Sequence, residues 1–223
     1  VTQSLQAFVN ALARTPVPPN AFNQYASDHP QLTDIQREGN RLRRSNLLRY
    51  LQQMKELEPT TLLVGEAPSH RGARLTGVPF CSESLMLHGI DGIAMFGSHR
   101  GYRKSEELER ISTEASATIV WGTIRGIAPL PLLWNAFPFH PHGPATPFSN
   151  RLPTREELRI GQTFLRSLVT LFAIRKVVAI GNSAAYSLEL LEIPHVKVRH
   201  PSQGGKPMFV QGVRRELAGI WSK

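Results

Sequence analysis

One cysteine in 223 residues, Cys81, has no second thiol to pair with. A disulfide framework is excluded, and so is any metal cluster held by several thiolates. Long apolar runs are missing too. No stretch approaches the roughly 20 residues that a bilayer-spanning helix needs, so no membrane partner is expected. The N-terminus lacks the charged-then-apolar pattern of a secretory leader, and a cytoplasmic setting is expected. Acidic residues are few, 17 against 26 basic ones, giving a formal net charge of +9 and a pI near 10.3. That balance suits a polyanion, nucleic acid first. The chain also lacks a serine-hydrolase elbow, since GNSAAY (residues 181–186) does not fit G-x-S-x-G and no triad accompanies it. His140 and His142 have no nearby Cys or carboxylate partners, so neither a metal nor another cofactor is expected.

What is present fits one soluble globular domain over residues 1–223, with 41% hydrophobic and 19% charged residues. Residues 1–34 read as an N-terminal helical extension, with Leu5, Phe8, Val9 and Leu12 at helical spacing before a proline-rich connector. A second helix is predicted from Ile35 to Glu58, its core stripe being Leu47, Leu48, Leu51 and Met54. Arg37, Arg41, Arg43, Arg44 and Arg49 decorate it. They are expected to be mostly a solvated face, with one or two reaching phosphate. Four strands are predicted: residues 61–64, Ala128 to Asn135, Lys176 to Ile180, and His195 to Arg199. Helices are expected from Ser105, from Thr154 (a Thr-x-x-Glu capping box) and from Asn182 to Leu191. Between them, HGIDGIAMFGSHRGYRKS reads as a broken loop. Its His99, Arg100, Tyr102, Arg103 and Lys104 mix cations with an aromatic ring, which suits either a nucleic-acid strand or plain solvent. Strands alternating with helices argue for an α/β fold with a parallel sheet and helices on both faces.

The chain is organised around LLVGEAPSHRGARLTGVPF, Leu62 to Phe80. An apolar strand runs into Gly65, Pro68 stiffens the loop, and Gly72 and Gly77 sharpen its return. Such a loop at a strand's carboxyl end turns peptide N–H groups towards a ligand, where open α/β sheets place their sites. Two further stretches carry polar residues at strand ends: PLLWNAFPFHP (131–141) and VRHPSQGGKP (198–207).

These three stretches, in this order, resemble the motifs of the uracil-DNA glycosylase superfamily. Its iron-sulfur members carry GEAPG followed by G-x-P-F, and another branch carries GQDPYH with a later Phe at the spacing of Gly65 to Phe80. With Cys81 alone, the iron-sulfur cluster is excluded. The resemblance implies a three-layer αβα sandwich around a central four-stranded parallel sheet. It also implies a monomeric repair glycosylase that flips uracil out of DNA and hydrolyses its N-glycosidic bond, acting at the nucleoid of a bacterial-type cell. His200 would then stabilise the leaving base, Phe80 would stack on it and Asn135 would read its edge. Backbone N–H groups of Glu66 and Ala67 would assist. Ser202, Gly204, Gly205 and Lys206 would meet phosphate, with Met208 as an apolar wedge. The sequence departs from the GQDPYH branch at two positions. Ala67 stands where an Asp activates water, leaving Glu66 and His70 as candidates for orienting it. Ser69 stands where a Tyr rejects the thymine methyl. Three alternatives remain open: a glycosylase fold that binds DNA without catalysis, a glycosylase of broader deaminated-base specificity, and an α/β enzyme acting on a small nucleotide.

Overall fold

The computed structural model describes residues 4–27 and 32–218. Its elements in chain order are α1 (Leu5–Arg14), β1 (Ala21–Phe22), α2 (Asp34–Glu56), β2 (Thr61–Gly65), α3 (Ala73–Thr76) and α4 (Glu83–His88). Then follow α5 (Ala115–Ile124), β3 (Leu132–Asn135), β4 (His140–Pro141), α6 (Arg155–Leu171) and β5 (Lys176–Ile180). The chain closes with α7 (Asn182–Leu190), β6 (Val196–Val198) and α8 (Lys206–Glu216). The expected architecture is present: a parallel sheet in the order β3-β2-β5-β6 within an αβα sandwich. The chain divides into two compact units, one of residues 1–53, 68–114 and 139–151, the other of residues 54–67, 115–138 and 152–223.

The second unit holds the sheet. All of β2 and β3 is buried, which is why they read as continuous apolar runs rather than alternating ones. Helix α7 packs on β5 and β2, α8 packs on β6, and the helices pair as α5 with α8 and α6 with α7. The capping box of α6 forms as predicted: Glu157 N–H donates to Thr154 Oγ1 at 3.2 Å and Thr154 N–H to the Glu157 carboxylate at 2.7 Å. Helix α6 also approaches the chain after β3 so closely that a Cβ on Gly161 would lie 1.7 Å from the Ala136 carbonyl oxygen. Only glycine fits there. Two strands are shorter than the sequence suggests. β3 starts at Leu132 rather than Ala128, because Pro129 and Pro131 have no N–H for a ladder; β6 covers only Val196–Val198.

In the first unit, α1 buries Phe8, Val9 and Leu12 behind an N-cap Ser4 that accepts from Ala7 N–H at 3.1 Å. The extension also supplies β1, which pairs antiparallel with β4; its residues 1–3 and 28–31 lie outside the described residues. Helix α2 ends at Glu56, before Glu58 turns to φ +49°. Its arginines are not one solvated face. Arg43 is fully buried, and Arg44 donates to the carbonyls of Tyr25 and Ala26 at 2.7 and 3.0 Å. Arg49 lies 5.9 Å from the centre of the Tyr102 ring.

The helix expected from Ser105 does not form before Ala115. Glu107 and Lys104 explain why. Glu107 turns inward to pair with buried Arg43 and, at 3.1 Å, with Arg74, while Lys104 Nζ donates to the carbonyls of Ser105 and Leu108. Two buried guanidiniums on one carboxylate outweigh the few tenths of a kcal/mol per residue in helix propensity. Glu107→Ala should therefore cost about 3–5 kcal/mol in urea unfolding, since it strands two buried cations. A loss under about 1 kcal/mol would mean that the triad contributes little to stability.

Candidate active site

Parallel strands bring all their carboxyl ends to one edge, and in the second unit that edge gathers the polar residues of three motifs. Gly65 ends β2 and Asn135 ends β3, and the two are register partners. The pairing continues past the strands: Ala136 N–H donates to Gly65 O at 2.8 Å and Phe137 N–H to Glu66 O at 3.0 Å. Asn135 is thereby fixed at 5% exposure. A buried amide normally has its donors and acceptors satisfied. Among the described residues, no side chain or backbone group bonds to the Asn135 amide, and its polar atoms keep some access to solvent.

Glu66 follows Gly65, and Ser183, in the first turn of α7, donates to its carboxylate at 2.7 Å. Burial pushes the Glu66 carboxyl above its ordinary 4.5, and the Ser183 hydroxyl partly offsets that. Ser183 is a candidate site residue that the sequence reading missed. The only sequence cue was a hydroxyl beside the turn at Gly181, where β5 passes into α7.

His200 stands two residues beyond β6. Its Nδ1 lies 2.7 Å from Ser202 Oγ and 3.2 Å from the Ser202 backbone nitrogen. A peptide N–H can only donate, so Nδ1 is the acceptor and the ring's proton sits on Nε2. Burial, reinforced by the Arg199 charge, holds the imidazole below its ordinary 6.5. The result is a neutral ring with one fixed donor.

The rest of the third motif is divided between a turn and a helix, because α8 begins at Lys206. Lys206 and Met208 thus lie in its first turn, with Met208 63% exposed. Gly204 has φ +74° with open space around it. Gly205 is buried instead: a Cβ there would lie 2.0 Å from His200 O, so this glycine lets the turn close under the histidine. Ala67 is half-buried beside Glu66.

Phe80 and His70 belong to the first unit. Phe80 is 8% exposed, with φ +52°. His70 is half-buried; its N–H donates to Asn150 Oδ1 at 2.9 Å, and its Nδ1 lies 3.3 Å from the same oxygen. Tyr102 is buried and donates its hydroxyl to Gln53 at 2.6 Å, which takes it out of any strand-binding surface and corrects that reading. His140 is also a core residue, contacting Pro68 O at 2.8 Å and Pro147 O at 3.3 Å. Burial draws its pKa down to about 4. Among the described residues, no three His, Cys, Asp or Glu side chains group as metal ligands. Nor is any helix long and apolar enough to cross a membrane.

The shifts at His200 and Glu66 have opposite consequences. His200 binds its proton less tightly when folded. Its contribution to stability is therefore complete above pH 6.5 and lost as pH falls through the folded value. Glu66 contributes below pH 4.5 and loses that contribution as pH rises through its raised value. By NMR titration, His200 should protonate below 6.5. Ser202→Ala should raise its midpoint, because one of two hydrogen bonds favouring the neutral ring is removed. An unmoved midpoint in Ser202→Ala would leave the Ser202 hydroxyl without a role in holding the ring neutral.

A family model, the uracil DNA glycosylase superfamily, matches residues 52–210. No curated protein sequence matches. Among solved structures, SMUG2 of Pedobacter heparinus superposes with a TM-score of 0.62 at 14% identity, covering 96% of this chain and 95% of that one. At that identity the likeness speaks for the fold alone. The family match spans most of the chain and includes every candidate residue named above: the chain belongs to the uracil DNA glycosylase superfamily.

Proposed function

We propose that this member is a monofunctional glycosylase that excises uracil from DNA and leaves an abasic site. The observation that carries the reading is the His200 imidazole, held neutral with Nε2–H as its free donor at the sheet edge that also bears Asn135 and Glu66. Breaking the bond between C1′ and N1 leaves the electron pair on the base, so the sugar becomes cationic and the uracil anionic. Water then adds to C1′, its proton is released, and the base takes up a proton at N1. A neutral imidazole suits the first step, since Nε2–H can donate to O2 as negative charge grows there without becoming a competing acid. The backbone N–H groups of Glu66 and Ala67 would add to that stabilisation. A partly buried Glu66 fixed by Ser183 can hold water once ionised, which assigns to Glu66 the task that Ala67 cannot perform.

Asn135 would accept from N3–H and donate to O4 of uracil, a pattern that cytosine reverses. Ser202, Gly204 and Lys206 would meet phosphate, with Met208 exposed for insertion. Gly205 would act beneath them, through the close turn it permits. Phe80 as a stacking platform and His70 as a second water-orienting group enter the proposal on the motif alone.

Ala67 also motivates a second reading, a DNA-binding protein without catalysis. Single-turnover assays on oligonucleotides carrying uracil, other deaminated bases or normal bases decide between the two. Abasic sites from uracil support the enzyme; binding without any abasic product supports the second reading. In the active case, His200→Ala should lower the single-turnover rate about 100-fold or more with binding retained. Near-parental excision would mean that another group stabilises the leaving base.

Asn135→Asp removes the amide donor and leaves a buried carboxyl. Protonated, that carboxyl would offer its O–H to cytosine N3 and accept from N4. The variant should lose most uracil activity and gain weak, acid-favoured cytosine activity, measured on matched single strands at several pH values. If Asn135→Asp and Asn135→Ala both cleave uracil at the parental rate, Asn135 does not read the base.

A further inference from the structure

The loop following β4 carries an exposed aromatic ring, Phe148, at 63% exposure. A single exposed aromatic needs no explanation by itself. What sets Phe148 apart is its backing. The guanidinium of Arg74, a residue only 4% exposed, lies 5.3 Å from the Phe148 ring centre and 5.0 Å from that of Phe22. Glu107 fixes the same guanidinium through its 3.1 Å ion pair. The exposed ring therefore rests on an anchored cation, with most of its surface open to solvent.

The loop is braced as firmly as the ring. Ser149 Oγ donates to Thr146 O at 2.7 Å and accepts from Gly143 N–H at 2.9 Å, and Ser149 N–H bonds Thr146 O at 2.9 Å. Arg151 clamps the base of the loop through the carbonyls of His142 and Asn20, both at 2.9 Å. Two ties run to the loop of the first motif: the neutral His140 ring lies between Pro68 O at 2.8 Å and Pro147 O at 3.3 Å, donating its single N–H to one of them, and Asn150 accepts from His70 N–H. Ordering these residues before any ligand arrives lowers the entropic cost of binding. A rigid π-face presented by a protein of net charge +9 is the construction used for unpaired nucleobases, which stack on aromatics regardless of sequence.

We propose that Phe148 is a stacking platform for an unpaired base of the DNA strand that this protein binds, distinct from the base that is excised. The inference rests on the DNA-glycosylase reading for its ligand, but its test does not need catalysis. Binding would be measured by anisotropy with a single-stranded oligonucleotide lacking uracil, for the parent, Phe148→Ala, Phe148→Leu and Phe148→Trp. A 2-aminopurine scan along the strand would report stacking as quenching at one position. Phe148→Ala and Phe148→Leu should each weaken binding about 10- to 100-fold. Their salt slope should be unchanged, because no phosphate contact is lost. Phe148→Trp should bind at least as well as the parent. Quenching should vanish in the Ala and Leu variants, and single-turnover excision at saturating enzyme should keep its rate. Leucine keeps the apolar cover over Arg74 without a π-face, so a loss in Phe148→Leu reports stacking rather than a disturbed loop.

Affinity within twofold of the parent in both Ala and Leu variants, with quenching intact, overturns the platform. If the parent leaves uracil untouched while both variants still lose affinity, the reading of the catalytic site fails and the platform stands.

Discussion

The hydrogen bonds that pair β2 with β3 in parallel are the constraint on which the candidate site depends. They place Gly65 opposite Asn135 and continue into Ala136 and Phe137, so the polar residue after each strand is fixed by its neighbour's backbone. Parallel pairing on the other side of β2 brings Gly181, Ser183 and, through β6, His200 to the same edge. That edge is held by peptide groups buried on both sides, whose bonds cost too much to leave unmade. This is why a few short polar side chains can be held in fixed positions at that edge.

Local chemistry then adjusts each group. Ser202 offers both its peptide N–H and its hydroxyl to one nitrogen of His200, which decides where the ring's proton sits. Burial holds the ring neutral, and the same force raises Glu66, so one environment moves a base and an acid in opposite directions. Close contacts maintain the framework: Gly161 lets α6 reach the Ala136 carbonyl, and Gly205 lets the turn before α8 close on His200 O. In the first unit, buried Arg43 and Arg74 share Glu107, and that triad both removes a predicted helix and fixes the cation behind Phe148.

The sequence alone determined the architecture and the chain order of the three candidate motifs. Apolar runs broken by glycine and proline marked the strands, Thr154 and Glu157 announced α6, and three ordered motifs pointed to the family and to His200, Asn135 and Glu66. These signals are local, because a strand's burial and a helix's cap are written within a few residues.

Only the tertiary structure decided which polar residues face one another. Ser183 is 117 positions from Glu66 and carries no mark of the pairing, because the sheet that joins them is non-local. Arg43 read as one of five surface cations until Glu107, 64 positions away, turned it inward, and the helix expected from Ser105 was lost to that pairing. Tyr102 looked suited to nucleic acid, yet its hydroxyl bonds Gln53 in the core, while Phe148, in the loop after β4 to which no role was given, is an aromatic left open. Propensity and composition act residue by residue at fractions of a kcal/mol. A buried ion pair or an orphaned hydrogen-bonding group costs several times that, so the long-range contacts set the outcome wherever the two disagree.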